Sequence, residues 1–290
     1  MKIGWIGTGV MGHFMAMHLQ QAGHDVRVYN RSIEKALPLK EFGILVCDSI
    51  AECVSDVEAV FTMVAFPSDV EAIYTGEDGI FNHAKKNTLL IDMTTSSPIL
   101  AKTLYQQGKA FKVLDAPVSG GESGARNATL SIMVGGDYDT FKLAYPLFES
   151  LAASIHYIGK AGCGQHCKAA NQIAVAGSVA GMSEAIHYAR CVDIDPNIIL
   201  AAIQKGAAGS WQLDHNAPLV LENDFAPGFY IKHFIKDMKI VQAVMEDQHQ
   251  DLKMLDCILE MYQSLAQHGL ENEGTQALIK YYETINKLIS

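Results

Sequence analysis

The chain has 290 residues, enough for one large or two ordinary domains, and its 49% apolar content with every aromatic type present excludes wholesale disorder. Acidic residues outnumber basic ones 32 to 22, for a net charge of −10, and no basic block interrupts the chain. A nucleic-acid or anionic-membrane partner is therefore not expected, because both need clustered Lys and Arg. The six cysteines are scattered and form no CxxC, which points to reduced thiols in a cytoplasmic protein.

Residues 2–6 form a short apolar run ending in glycines, residues 11–21 carry apolar side chains at helical spacing, and residues 25–29 are again β-rich. That is a βαβ unit. Its glycines and His13 leave no signal-peptide pattern. Beyond it the pattern predicts a helix over 33–42, strands over 59–63, 88–92 and 111–115, and helices from Ser68 and over 98–107. Such alternation implies a parallel sheet with helices on both faces. Residues 130–134, a helix over 138–150 and residues 154–157 extend the sheet edge. From Gly164 onward helices dominate, over 165–190, 196–205, 231–247, 253–268 and 276–288. The stretch 169–186 is apolar, but Asn171, Gln172, Ser178, Ser183 and Glu184 make it a buried helix rather than a membrane span. The expected fold is an N-terminal doubly wound Rossmann α/β domain, 1–162, plus a C-terminal all-α substrate and oligomerisation domain, 163–290, joined by a long interdomain helix.

Gly7-Thr8-Gly9-Val10-Met11-Gly12 fits GxGxxG between a strand and a helix, where glycines allow a tight turn, approach of a pyrophosphate and close helix packing. A dinucleotide site is expected; a purely structural glycine turn is the alternative. The end of the second strand, where an acid would bind the ribose hydroxyl of NAD, holds Asn30, followed by Arg31 and Ser32. A cation and a hydroxyl suit a 2′-phosphate, so NADP is expected over NAD, unless Arg31 merely opens the next helix in solvent. Met63 and Val64 begin a loop with apolar surface for a nicotinamide ring, and residues 92–98 offer hydroxyls and a helix start; an ordinary loop and an N-cap are their plainer readings.

Ser119, Gly120 and Gly121 follow a strand and could hold a small carboxylate, or simply make a tight turn. Lys168 lies near the start of the long helix with Asn171 and Gln172 about one turn later, polar groups in an apolar helix that need partners such as a substrate. Taken alone, Lys168 reads equally well as an exposed or snorkelling lysine. Cys163, His166 and Cys167 lack a fourth zinc ligand, so no metal is expected.

Together the glycine loop, the segment 115–121, the segment 162–172 and Ile235-Lys236-Asp237 resemble the β-hydroxyacid dehydrogenases, which include 3-hydroxyisobutyrate dehydrogenase and tartronate semialdehyde reductase. The resemblance covers nearly the whole chain. It implies Lys168 as the catalytic lysine, Ser119, Gly120 and Gly121 as the substrate loop, and Asn171 or Gln172 as the substrate-binding amide. The family often has a second asparagine where Gln172 stands. Thr95 is implied on the nicotinamide side and Lys236 near cofactor and substrate, although Lys232, Lys236 and Lys239 also fit the solvated side of an amphipathic helix. Leu219 replaces an arginine that many relatives carry after the proline matched by Pro218. A short carboxylated substrate and a homodimer or homotetramer follow from the resemblance. An imine reductase of similar fold and a noncatalytic nucleotide-binding module are the rival readings, and Lys168 favours neither.

Overall fold

The computed structural model describes residues 1–285. Two compact units divide it, residues 1–168 and 169 onward, and the division falls inside one helix, Cys163–Cys191.

The first unit is built on one mixed sheet. Its strands are β1 (Lys2–Ile6), β2 (Asp25–Tyr29), β3 (Leu45–Val46), β4 (Ala59–Thr62), β5 (Leu89–Asp92), β6 (Lys112–Asp115), β7 (Val118–Ser119), β8 (Leu130–Gly136) and β9 (Ala152–Gly159). The first six run parallel in the order β3-β2-β1-β4-β5-β6. The strand order thus reverses beside β1, and the carboxyl ends of β1 and β4 flank the crevice where ligands of such sheets bind. β8 pairs antiparallel with β6 and β7, and β9 lies parallel to β8. Strands β4 and β5 are buried along their whole length, as expected of strands covered by helices on both faces. One apolar layer gathers Trp5, Met15, Leu19, Val28 and Phe61, with Trp5 stacked on Phe61 at 5.4 Å between ring centres. The other layer gathers Ile6, Val60, Val70, Tyr74 and Leu90.

The segment expected as a helix over 33–42 forms two short 3-10 pieces, Ile33–Lys35 and Leu37–Phe42. Pro38 at the start of the second piece cannot donate a hydrogen bond back to the first, which divides them. Gly43, at φ +77°, ends the run.

The second unit is helical. Besides the remainder of Cys163–Cys191 it contains Pro196–Ile203, Trp211–Leu221, Ile231–Asp247 and Lys253–Gln267, packed around Val179, Met182, Phe234, Met238, Leu259 and Tyr262. Tyr262 satisfies its buried hydroxyl on the Thr275 carbonyl at 2.7 Å. Trp211–Leu221 went unread in the sequence, where Pro218 in its interior masks the helical pattern, yet Ser210 caps it by accepting from the Leu213 amide at 3.2 Å. The expected helix over 276–288 is instead a 3-10 turn, Thr275–Leu278, and a π-helical turn, Tyr281–Ile285; its last three positions lie outside the described residues. Among the described residues no helix is long and apolar enough to cross a membrane.

Candidate active site

The glycine loop is rigid on its protein side. Gly7 adopts φ +99°, and a Cβ there would stand 2.2 Å from the Met63 carbonyl oxygen, so only glycine fits. Its amide donates to the Tyr29 carbonyl at 2.9 Å, and its own carbonyl accepts from the Trp5 indole at 2.8 Å. A Cβ on Gly12 would fall 2.0 Å from the Gly7 carbonyl oxygen, which forces glycine at the start of the helix Gly12–Gln21. Gly9 differs: a Cβ there would meet nothing within 4 Å. No neighbour in the protein demands a glycine at that position, whereas a phosphate approaching the backbone does. Two buried hydroxyls at this edge of the sheet, Thr8 Oγ1 and Ser96 Oγ, have no hydrogen-bond partner among the described residues. An open glycine backbone, a helix start and unsatisfied hydroxyls fit a dinucleotide.

Asn30 occupies the place of the ribose-binding acid and is already engaged. Its Oδ1 accepts from the Thr8 amide at 2.9 Å and its Nδ2 donates to the Ser32 carbonyl at 2.8 Å. It ties the glycine loop to the end of β2. Arg31 and Ser32 stay exposed, with Arg31 loosely paired to Asp69 at 3.6 Å.

The loops after β4 and β5 are joined from below. Asp92 Oδ1 accepts from the Thr62 hydroxyl at 2.8 Å and the Thr94 amide at 3.1 Å, and Thr94 Oγ1 accepts from the Val64 amide at 3.0 Å. This places Met63 and Val64 beside the loop that carries Thr95. Burial pushes the Asp92 carboxyl up to about 6, with the nearby Asp115 carboxyl acting in the same direction. Asp92 and Asp115 are direct neighbours in the sheet register.

Asp115 caps the helix Cys163–Cys191 from the end of β6. Its two oxygens accept the amides of Gly162 at 2.7 Å and Gln165 at 2.9 Å, the donors a helix start leaves unpaired. Burial nonetheless raises this carboxyl too, to about 6. Gln165 reaches across to the β5 loop, accepting from the Ser96 amide at 2.9 Å and donating to the Thr94 carbonyl at 2.8 Å. Lys168, three residues further along this helix, is only 7% exposed. That burial goes against the solvent-exposed reading of the lysine. Ser119 sits on β7, half-buried, and the next two residues are glycines at φ +132° and +60°, a backbone that favours glycine at both. His166 faces the Lys102 ammonium at 3.3 Å, and no three metal-ligating side chains converge among the described residues.

In the second unit a chain of polar groups joins residues distant in sequence. Asn171 Nδ2 donates to Gln172 Oε1 at 2.8 Å, Gln172 Nε2 donates to Asp237 Oδ2 at 2.6 Å, and Asp237 Oδ1 lies 3.0 Å from Lys236 Nζ. Gln172 is thus spent at both ends on the protein, while Asn171 lends only its amide nitrogen. Lys236 is not a solvated surface cation, since its side chain is 12% exposed and its partner Asp237 only 2%. Sequence reasoning missed Asp92 and Gln165 and gave Asp237 no role beyond its place in the Ile235-Lys236-Asp237 motif. The signal for Asp92 was available, an acid closing a strand next to a second strand that also ends in one.

Comparison with known proteins places these features. Residues 2–159 match the family model described as the NAD binding domain of 6-phosphogluconate dehydrogenase, and residues 162–282 match that for NAD-binding of NADP-dependent 3-hydroxyisobutyrate dehydrogenase. An uncharacterized oxidoreductase of Bacillus subtilis (strain 168) is 45% identical over 97% of this chain and 98% of its own. The 2-hydroxy-3-oxopropionate reductase of Escherichia coli (strain K12) is 35% identical over 98% of this chain and 97% of its own. Among solved structures, Mycobacterium tuberculosis 3-hydroxyisobutyrate dehydrogenase with L-serine superposes with a TM-score of 0.90 at 28% identity, over 98% of this chain and 99% of that one.

Proposed function

The chain belongs to the β-hydroxyacid dehydrogenases, NAD(P)-dependent oxidoreductases of the 3-hydroxyisobutyrate dehydrogenase type, and on that footing we propose that it interconverts a short β-hydroxy acid and its semialdehyde or other carbonyl form, with NADP preferred and Lys168 as general acid and base. The observation that carries this reading is a lysine 7% exposed near the start of a helix whose first turn is held by Asp115 and Gln165.

When bound, the nicotinamide supplies or takes the hydride. Lys168 gives a proton to the substrate oxygen as it gains charge in reduction, and removes the hydroxyl proton in oxidation. The Ser119 hydroxyl with the amides of Gly120 and Gly121 receives the substrate carboxylate. Asn171 is the amide that meets substrate, because Gln172 is committed at both ends and Asn171 is not. Asp237 holds Gln172 and Lys236 in place behind it.

The cofactor binds over Gly7, Thr8, Gly9, Val10, Met11 and Gly12, with Met63, Val64 and Thr95 on the nicotinamide side and Lys236 nearby. NADP preference is supported by the missing acid at Asn30, whose amide is occupied within the protein, and by exposed Arg31 and Ser32, a cation only loosely paired with Asp69 and a hydroxyl, both suited to a 2′-phosphate. The L-serine named with the mycobacterial structure is itself a β-hydroxy acid, which supports a substrate of that size and charge. Assembly as a homodimer or homotetramer is part of the same reading; large apolar side chains exposed on the helical unit, among them Tyr188, Ile198 and Trp211, support it.

Initial rates of NADPH and NADH oxidation with tartronate, methylmalonate, succinic and glyoxylic semialdehydes test the reading, run beside Lys168→Ala. Turnover that prefers NADPH and falls by about 10² to 10⁴ in the variant is expected. NADPH binding without turnover on any of them would point instead to an imine substrate or a noncatalytic role.

A further inference from the structure

Gln165 is 1% exposed and uses both ends of its amide on the peptide groups that flank Thr95. The acceptor end takes the Ser96 amide and the donor end gives to the Thr94 carbonyl, closing a two-bond ring like that between paired strands. Its own backbone amide is held by Asp115. Thr94, at the other side of the ring, is fixed by Asp92 and in turn holds the Val64 amide. The loop carrying Thr95 and the helical turn leading to Lys168 are therefore not two neighbours in loose packing. They are joined through one side chain, and that side chain must be both donor and acceptor to do it.

We propose that Gln165 is a positioning residue that holds Thr95 and Lys168 in fixed register, so that the proton-transferring ammonium and the loop on the nicotinamide side keep one geometry. The inference rests on the reading of Lys168 and Thr95 given above. Positions three apart on a helix lie on adjoining parts of one face, so a tilt of the turn at Gln165 is passed to Lys168. A misplacement of about 1 Å at a reacting group lowers turnover by roughly 10²-fold. A residue that only satisfied buried peptide groups would affect stability and leave turnover of the folded enzyme alone.

Gln165→Met keeps the volume and removes both bonds. Gln165→Glu keeps the acceptor for Ser96 but sets a carboxylate oxygen against the Thr94 carbonyl; once protonated, it regains the donor. Titratable groups around it include Asp115, on its own backbone amide, and Asp92, on the Thr94 amide, with Cys163, Cys167, Lys168 and the Lys102–His166 pair on or against the same helix. The experiment measures kcat and KM of both variants beside wild type and Lys168→Ala, with NADPH binding by fluorescence titration and amide hydrogen exchange over residues 94–96.

Expected for Gln165→Met is a kcat loss of about 10²-fold, NADPH affinity within about threefold of wild type, and faster exchange of the Ser96 amide. For Gln165→Glu the deficit is expected to be large near about pH 8 and to shrink relative to wild type toward about pH 6. Wild-type kcat in Gln165→Met despite faster Ser96 exchange overturns the proposal, as does a Gln165→Glu deficit independent of pH. If Gln165→Met does not fold, the pH series on Gln165→Glu decides. Wild-type turnover in Lys168→Ala would instead remove the underlying reading, whatever the Gln165 variants do.

Discussion

Replacing Asp92 by asparagine is expected to stabilise the first unit, although it removes a buried charge that the Thr62 hydroxyl and the hydroxyl and amide of Thr94 contact. In the folded chain the carboxyl titrates near about 6 because burial disfavours its ionised form. In the unfolded chain it titrates at about 3.9, so ionising it in place costs roughly two pKa steps, or about 3 kcal/mol. The sign follows from the direction of the shift. Between about pH 4 and pH 6 the folded state binds more protons than the unfolded one, so stability falls as pH rises through that window. The penalty is absent below it and complete above it. An asparagine oxygen at the Oδ1 position still accepts from Thr62 and Thr94, and the amide carries no charge to desolvate. Asp92→Asn should therefore gain up to about 3 kcal/mol near pH 8 and little near pH 4. The chain has two tryptophans, so in a Trp211→Phe background Trp5, buried and stacked on Phe61, reports on this sheet alone. Urea unfolding followed by its fluorescence at both pH values measures the gain. A variant less stable than its parent near pH 8, or equally stabilised at both pH values, would refute the reasoning.

Gly9→Ala should fold with a stability change within about 0.5 kcal/mol and lose NADPH affinity in a fluorescence titration, because its new methyl group meets cofactor rather than protein. Gly12→Ala, whose methyl would meet the Gly7 carbonyl oxygen, should instead lower the melting temperature sharply or fail to fold. Arg31→Ala should weaken NADPH by roughly 10- to 10²-fold and leave NADH within about twofold, read as KM for each cofactor; equal losses would end the case for a 2′-phosphate contact. Asp237→Ala removes the ion pair of Lys236 and the acceptor of Gln172 Nε2 and should destabilise the helical unit by about 3 kcal/mol in urea unfolding.

The βαβ alternation was legible because strand and helix periods differ and turn glycines punctuate them. Gly7 and Gly12 of the glycine loop could be read to the residue, since a tight turn and a close helix start each exclude other residue types. The helix Trp211–Leu221 was not legible because Pro218 interrupts its pattern, and Pro38 likewise broke a segment that otherwise looked helical. Asn30 was read for what it lacks, a carboxylate, whereas its bond to Thr8 depends on a fold that brings the first two strands together. Gln165 was hidden for a similar reason: its partners lie about 70 positions earlier, and nothing local marks a glutamine as paired with a distant peptide.

The division of the chain inside Cys163–Cys191 has a consequence for recombination between relatives. The helix belongs by sequence to the helical half, yet its first turn is bonded to residues 94–96 and to Asp115. A chimera that exchanges the helical half at the helix boundary would bring in a foreign first turn and, unless that turn also carries glutamine at position 165, lose the side-chain bonds to Ser96 and Thr94, while Asp115 still accepts backbone amides. A crossover placed after Lys168 keeps donor and acceptor from one parent, and such hybrids should fold and bind cofactor more often than those joined at the apparent linker before Cys163.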